Sequence, residues 1–355
     1  RHSLCNLPAE ILKFVGDVNN YYNSPQRKER LKELQKNEKM SVLLPKQHVK
    51  TRWLSLGESL TRLLEIWPSI QIYMDTLDGK KGARQNKKVL EDLLENDIEI
   101  TKINYNEISK LLNNEEFKVR VSFLEIIMKQ MNIYSQIFQK QDLPISQLKT
   151  KIQDAFCFVL SLVVNGRKLK LQDVTPYTKI NWKSLEAQEE WFYSNAELSS
   201  SLMRAYPSLI NLKKLTEAEI DSFCLCFKGY LGNLLDLMID YLPLKDTIIN
   251  TLDFTEDFSE FFDLEQKVLT FNEYFKIVDD IPSLRNEITR LAGRKRNIYA
   301  ANSKNILHIW DRIANEEHPD NFKFTLLPKI AKAAQALPTS SSDVEQSFSG
   351  IKLVK

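Results

Sequence analysis

Apolar residues recur along this chain at intervals of three and four. Ile11, Phe14, Val15, Val18 and Tyr22 share one helical face, as do Leu60, Leu63, Leu64 and Trp67, and then Leu124, Ile127, Met131, Tyr134 and Phe138. The same spacing returns in Ile220, Phe223, Cys224, Phe227, Leu231, Leu234 and Met238, in Ile306, Ile309, Trp310 and Ile313, and in Leu326, Leu327, Ile330, Ala334 and Leu337. The pattern predicts a series of amphipathic helices over most of the chain.

Pro68, Pro144, Pro176, Pro207, Pro243, Pro282, Pro319, Pro328 and Pro338 punctuate the series, and each is read as a helix end or first turn because proline lacks an N–H and clashes inside a helix. Many short helices are therefore expected, rather than a coiled coil. One stretch alternates instead: in His48-Val49-Lys50-Thr51-Arg52-Trp53 the residues Val49, Thr51 and Trp53 are interleaved with polar neighbours, as in a strand. Ser24 to Lys39, Asp78 to Lys88 and Gly293 to Asn297 are polar enough to be loops or solvated helix faces, and Arg294-Lys295-Arg296 adds a compact basic cluster. Asp253 to Glu265 interleaves acids with Phe254, Phe258, Phe261 and Phe262 and reads as a helix that packs on protein and repels phosphate.

Composition narrows the chemistry. The 355 residues contain 9 glycines, well below the usual ~7%, which disfavours glycine-dependent phosphate loops and dinucleotide sites. Lys+Arg 49 against Asp+Glu 47 gives a net charge of +2, so any polyanion site must come from local clustering. Four cysteines in a chain of this size do not make a disulfide scaffold and point to a reducing compartment. Phe156 to Val164, the most apolar run, is too short for the ~20 residues of a membrane span and is read as a buried helix. The chain opens at Arg1 without leader-like sequence and is expected to be the interior of a longer protein.

Local chemistry is sparse. Cys224 and Cys226 lack further ligands at zinc-finger spacing, and Cys224 lies on an apolar face, where core packing is its expected role. His308 falls between Ile306 and Trp310 as a partly buried core histidine, His318 belongs to a loop, and Asp279-Asp280 before Ile281-Pro282 reads as a turn. No P-loop lysine is found.

Two segments are more specific. The first is Thr51-Arg52-Trp53-Leu54-Ser55-Leu56; the second is Leu337-Pro338-Thr339-Ser340-Ser341-Ser342-Asp343-Val344-Glu345-Gln346-Ser347-Phe348-Ser349. In this order, with a long helical stretch between them and His2-Ser3-Leu4-Cys5-Asn6 ahead, the chain resembles the C-terminal half of a hAT-superfamily DNA transposase. The resemblance implies a partial RNase H-like α/β core interrupted by a large all-helical insertion, so the fold expected is mainly α. Its divisions would be residues 1–56 for the distal core, 57–305 for the insertion, and 306–355 for the return to the core and the start of the C-terminal dimerisation region. It implies that Glu345 is one of three carboxylates holding Mg²⁺ or Mn²⁺, the other two being aspartates upstream of Arg1. Two ions about 3.5–4 Å apart would activate the attacking oxygen and stabilise the leaving one in phosphodiester displacement. Arg52 and Trp53 would lie near that site, where a guanidinium can hold phosphate and an indole can stack on a base. Arg294, Lys295 and Arg296 are further DNA-contact candidates. Trp310, Leu327 and Phe348 are the dimerisation candidates.

Each has a plainer reading. Ser342-Asp343-Val344-Glu345 has the form of a capping box; a tryptophan at a strand end is commonly core and its arginine neighbour a surface ion pair; strand alternation puts Arg52 and Trp53 on opposite faces. Gln346 stands where the family usually has arginine, which bears on catalysis more than on ancestry. The expected protein is transposase-derived and nuclear, associates with itself and contacts DNA, with no membrane and no small-molecule substrate. The alternative is a non-catalytic helical interaction scaffold. With two metal carboxylates missing, this chain alone should show no Mg²⁺- or Mn²⁺-dependent DNA cleavage in a plasmid-nicking assay; nicking abolished by Glu345→Gln would overturn that.

Overall fold

The computed structural model describes residues 7–47, 53–77, 102–139, 145–166, 168–169, 174–255, 261–291, 306–315 and 322–337. Its elements are α1 (Leu7–Tyr21), α2 (Pro25–Asn37), α3 (Trp53–Leu77), α4 (Lys102–Leu112), α5 (Glu115–Phe138), α6 (Ile145–Val163), α7 (Leu185–Trp191), α8 (Asn195–Ala205), α9 (Glu217–Tyr241), α10 (Phe261–Phe275), α11 (Ile281–Leu291), α12 (Ile306–Asn315) and α13 (Leu326–Gln335). Shorter 3-10 helices span Thr175–Lys179, Pro207–Lys214 and Ile249–Thr255. Among the described residues there is no strand, and Val164 and Phe192 form an isolated antiparallel bridge. The mainly helical expectation holds; an RNase H-like sheet is not seen in these residues.

Most prolines stand where a missing N–H is harmless. Pro25, Pro176, Pro207, Pro282 and Pro328 occupy first turns, and Pro243 follows the end of α9. Pro68 departs from the expectation because α3 runs through it without a break. Interior proline costs about 3 kcal/mol, whereas Leu60, Leu63, Ile66, Trp67, Ile70, Tyr73 and Met74 on this helix are all buried, at roughly 1.5–3 kcal/mol for each large apolar side chain. Burial on both sides outweighs the local penalty, and Pro68 itself is on the exposed side. The strand expectation is corrected at its last position, since Trp53 is the first residue of α3; residues 48–52 lie outside the described set. The expected division at 56/57 therefore falls inside a helix.

By packing, the chain forms two units: Arg1–Ile133 with Val159–Leu169 and Asn181–Asp236, and Tyr134–Phe158 with Lys170–Ile180 and Leu237–Lys355. In the first, Phe14 meets Phe117 edge-on with centroids 5.0 Å apart, and Trp67 donates its indole N–H to the Leu112 carbonyl at 3.3 Å. The polar Ser24–Lys39 segment is α2, a solvated helix that turns Leu31, Leu34 and Gln35 inward. The Gln35 amide donates to the carbonyl of Leu43 and accepts from its N–H, fixing the extended chain after α2. On α9, Gly232 admits the backbone of Trp182 so closely that a Cβ would lie 2.6 Å from its carbonyl oxygen. Asp236, one turn on, accepts the N–H groups of Trp182 and Lys183 at 3.1 and 3.2 Å.

The second unit is built around Leu252, Phe254, Leu264, Phe271, Ile288, Trp310, Leu327 and Ile330. The expected single helix over Asp253–Glu265 is corrected: a 3-10 helix ends at Thr255, α10 begins at Phe261, Phe254 is buried and Phe262 is 82% exposed. Proximity in sequence put these aromatics together, but their environments differ. Glu287 on α11 is 4% exposed and accepts the N–H groups of Thr325, Leu326 and Leu327 at 2.8, 3.0 and 2.7 Å, capping α13 from another helix. Asn272 similarly clasps both the N–H and the carbonyl of Val278.

Two substitutions test this packing. Gly232→Ala gains helix propensity but forces overpacking, and a net loss of about 1–2 kcal/mol is expected in urea unfolding. Glu287→Ala strands backbone donors and should cost about 2–4 kcal/mol; wild-type stability in either variant would contradict the packing described.

Candidate functional site

The residues expected from sequence fall into two groups. Glu345, Phe348, Arg52, Arg294, Lys295 and Arg296 lie outside the described residues, and Trp53 is described only as backbone in the first turn of α3. Among the described residues no group of three or more His, Cys, Asp and Glu side chains is placed to hold a metal ion, so the Mg²⁺ or Mn²⁺ expectation rests on Glu345. Trp310 and Leu327 are brought together, both wholly buried in the second unit's core. The Trp310 indole donates to the Thr255 carbonyl at 2.9 Å. The apolar spacing that marked these two as dimerisation candidates is the signal of an intramolecular core.

The basic Ser24–Lys39 segment shows why charge counts mislead. On α2, Lys28, Lys32 and Lys36 follow one another at i,i+4, and Glu29 and Glu33 run beside them. Lys32 pairs with Glu29 at 2.6 Å. Phosphate approaching the lysines would meet those carboxylates, so this is a solvated, charge-laced face.

A denser polar cluster lies where α1 turns into α2. Tyr22 closes α1 through its N–H to the Val18 carbonyl at 3.1 Å, and Pro25 opens α2 three residues later. That tight turn places Tyr21 and Tyr22 against Tyr73 of α3, with Tyr22 5.0 Å from Tyr21 and 5.6 Å from Tyr73 between ring centroids. Arg27 stacks over the Tyr21 ring at 4.5 Å and donates to the Tyr21 carbonyl at 3.0 Å. Tyr105 of α4 donates to the Met74 carbonyl at 3.0 Å. The hydroxyls of Tyr22 and Tyr73 are buried and make no hydrogen bond. Arg30 and Tyr21 lie near enough to Tyr73 to favour its ionisation without meeting its hydroxyl in acceptable geometry.

Burial pushes the Tyr21, Tyr22 and Tyr73 hydroxyls above the ordinary phenol pKa; Tyr73 adds to the rise at Tyr21 and Tyr22, while Arg27 and, at Tyr73, Arg30 oppose it. These phenols are neutral donors at physiological pH. Periodicity placed Tyr22 correctly on the apolar face, but it registers the ring and says nothing about the hydroxyl.

Other reactive groups are structural. Cys224 is buried, as expected, and burial pushes its thiol up to about 11. Burial lowers the Lys228 ammonium, which donates to Asn195 Oδ1 at 2.7 Å while Asn195 donates to Asp221 at 2.7 Å, tying the start of α8 to α9. Asp280 caps α11 by accepting the Ser283 N–H at 3.1 Å, which bears out the turn at Asp279-Asp280. Helix α9 is long and apolar enough to cross a membrane by composition, but its Phe223, Cys224, Phe227, Leu231 and Leu235 are buried within protein.

A phenol with a raised folded-state pKa contributes stability that is whole below its ordinary value of about 10 and drains away as pH rises beyond it. The melting temperature should therefore fall above pH about 10, less steeply in Tyr22→Phe; an equally steep fall in that variant would remove Tyr22 as a source. No family model, curated protein or solved structure matches the chain.

Proposed function

We propose that this chain derives from a hAT-type DNA transposase and works as a helical module that associates with itself and contacts DNA in the nucleus, its ancestral chemistry being metal-dependent strand cleavage and transfer. The observation that carries the reading is the ordered pair of end motifs. Arg52 and Glu345 are separated by 345 − 52 = 293 residues, and the regular structure described between them is helical. In this reading Glu345 is the inherited metal ligand, Arg52, Trp53 and Arg294–Arg296 are the DNA contacts, and Gln346 marks a departure on the catalytic side.

A non-catalytic protein-interaction scaffold is the second reading. It is favoured by the interior positions of Trp310 and Leu327, which make the helical core self-sufficient without a subunit partner. Trp310→Ala would lose about 3–5 kcal/mol of core stability, so association is best tested with the unsubstituted chain.

Light scattering over a micromolar concentration series should show a dimer, and a strict monomer at high micromolar concentration would count against the self-associating reading. Duplex DNA binding measured by anisotropy should weaken with salt at a log–log slope of about −0.9 per phosphate contacted; salt-insensitive binding, or none, would remove the DNA contact.

A further inference from the structure

Tyr22 and Tyr73 are 1% and 4% exposed, and their hydroxyls stand without a hydrogen-bond partner. Leaving a buried hydroxyl unpaired is unfavourable, and phenylalanine would fill almost the same space without the penalty. Two such groups stand with rings 5.6 Å apart, which points to a bound species that uses them.

The surroundings specify its chemistry. The charged side chains acting on Tyr21, Tyr22 and Tyr73 are Arg27 and Arg30. Guanidinium is a donor without acceptor capacity, and a neutral phenol in a cationic setting donates its proton readily. A complementary ligand is therefore anionic and rich in acceptor oxygens. Both arginines are half-buried while the hydroxyls are buried, so the cations stand on the solvent side of the phenols. A compact ligand could pass them; a duplex backbone could not reach the hydroxyls behind.

We propose that the α1–α2–α3 junction binds a small phosphate-type oxyanion, drawn in by Arg27 and Arg30 and held by hydrogen bonds donated from the hydroxyls of Tyr22 and Tyr73. The ligand is free phosphate or the terminal phosphate of a short nucleic acid, since both present the same oxygens. The inference stands on this cluster alone and does not need the transposase reading, which is tested by association and DNA binding.

The test is a thermal melt of the full chain in chloride buffer, with inorganic phosphate added against sodium chloride of equal ionic strength. A parallel pair of melts uses a 5′-phosphorylated dinucleotide and its unphosphorylated form. A rise of about 2–4 °C with inorganic phosphate is expected if free phosphate is the ligand, and a rise with the phosphorylated dinucleotide alone assigns the site to a nucleic-acid end. The Tyr22→Phe/Tyr73→Phe double variant should melt at or above the wild-type temperature without ligand and lose the response. No phosphate-specific rise in wild type would overturn the proposal and leave water as the partner of these hydroxyls. A full response in the double variant would overturn it as well.

Discussion

Every helix end leaves backbone N–H or C=O groups without an intrahelical partner, and a chain built from many short helices has many such ends. Here buried side chains from neighbouring segments supply the missing partners. Glu287 serves the start of α13, Asn272 clasps Val278, Gln35 holds Leu43, and Asp236 takes the two N–H groups of the turn before α7. Each polar side chain lies among apolar neighbours where an unpaired backbone donor would cost about as much as a lost hydrogen bond. The helices can pack as they do because these clasps fix the connections between them.

The architecture was legible wherever burial alone decided it. Stripes such as Ile11, Phe14, Val15 and Val18 are one-sided and all four are buried, so spacing and structure agree. Legibility failed where a local rule met a larger tertiary gain. Pro68 should end a helix, but the apolar run on both sides keeps α3 continuous. The alternation ending at Trp53 lost to the helix-forming run that follows it. The segment from Asp253 to Glu265 looked uniform, although Phe254 and Phe262 have opposite environments, because periodicity cannot see a chain reversal.

The candidate site was less legible for a different reason. An apolar stripe has the same appearance whether it faces its own core or another subunit, and Trp310 and Leu327 proved to face their own core. Charge runs carry a similar ambiguity: the lysines of α2 lie beside glutamates once the helix is wound. Conversely, the Tyr22–Tyr73–Arg30 cluster joins residues from three helices, and nothing in the spacing of any one of them announces the meeting. The motifs at Arg52 and Glu345 are the opposite case, visible in sequence and outside the residues whose structure is described.

The cap that Glu287 places on α13 has a thermodynamic corollary. A helix of ten residues is shorter than the ~12–15 at which isolated helices become even marginal in water. Because its first-turn donors end on a carboxylate of α11, α13 cannot begin to unwind from that end without stranding a buried charge. The two helices thus belong to one cooperative opening unit, and the segment leading toward the Glu345 motif inherits the stability of the core instead of fraying as a terminal helix would.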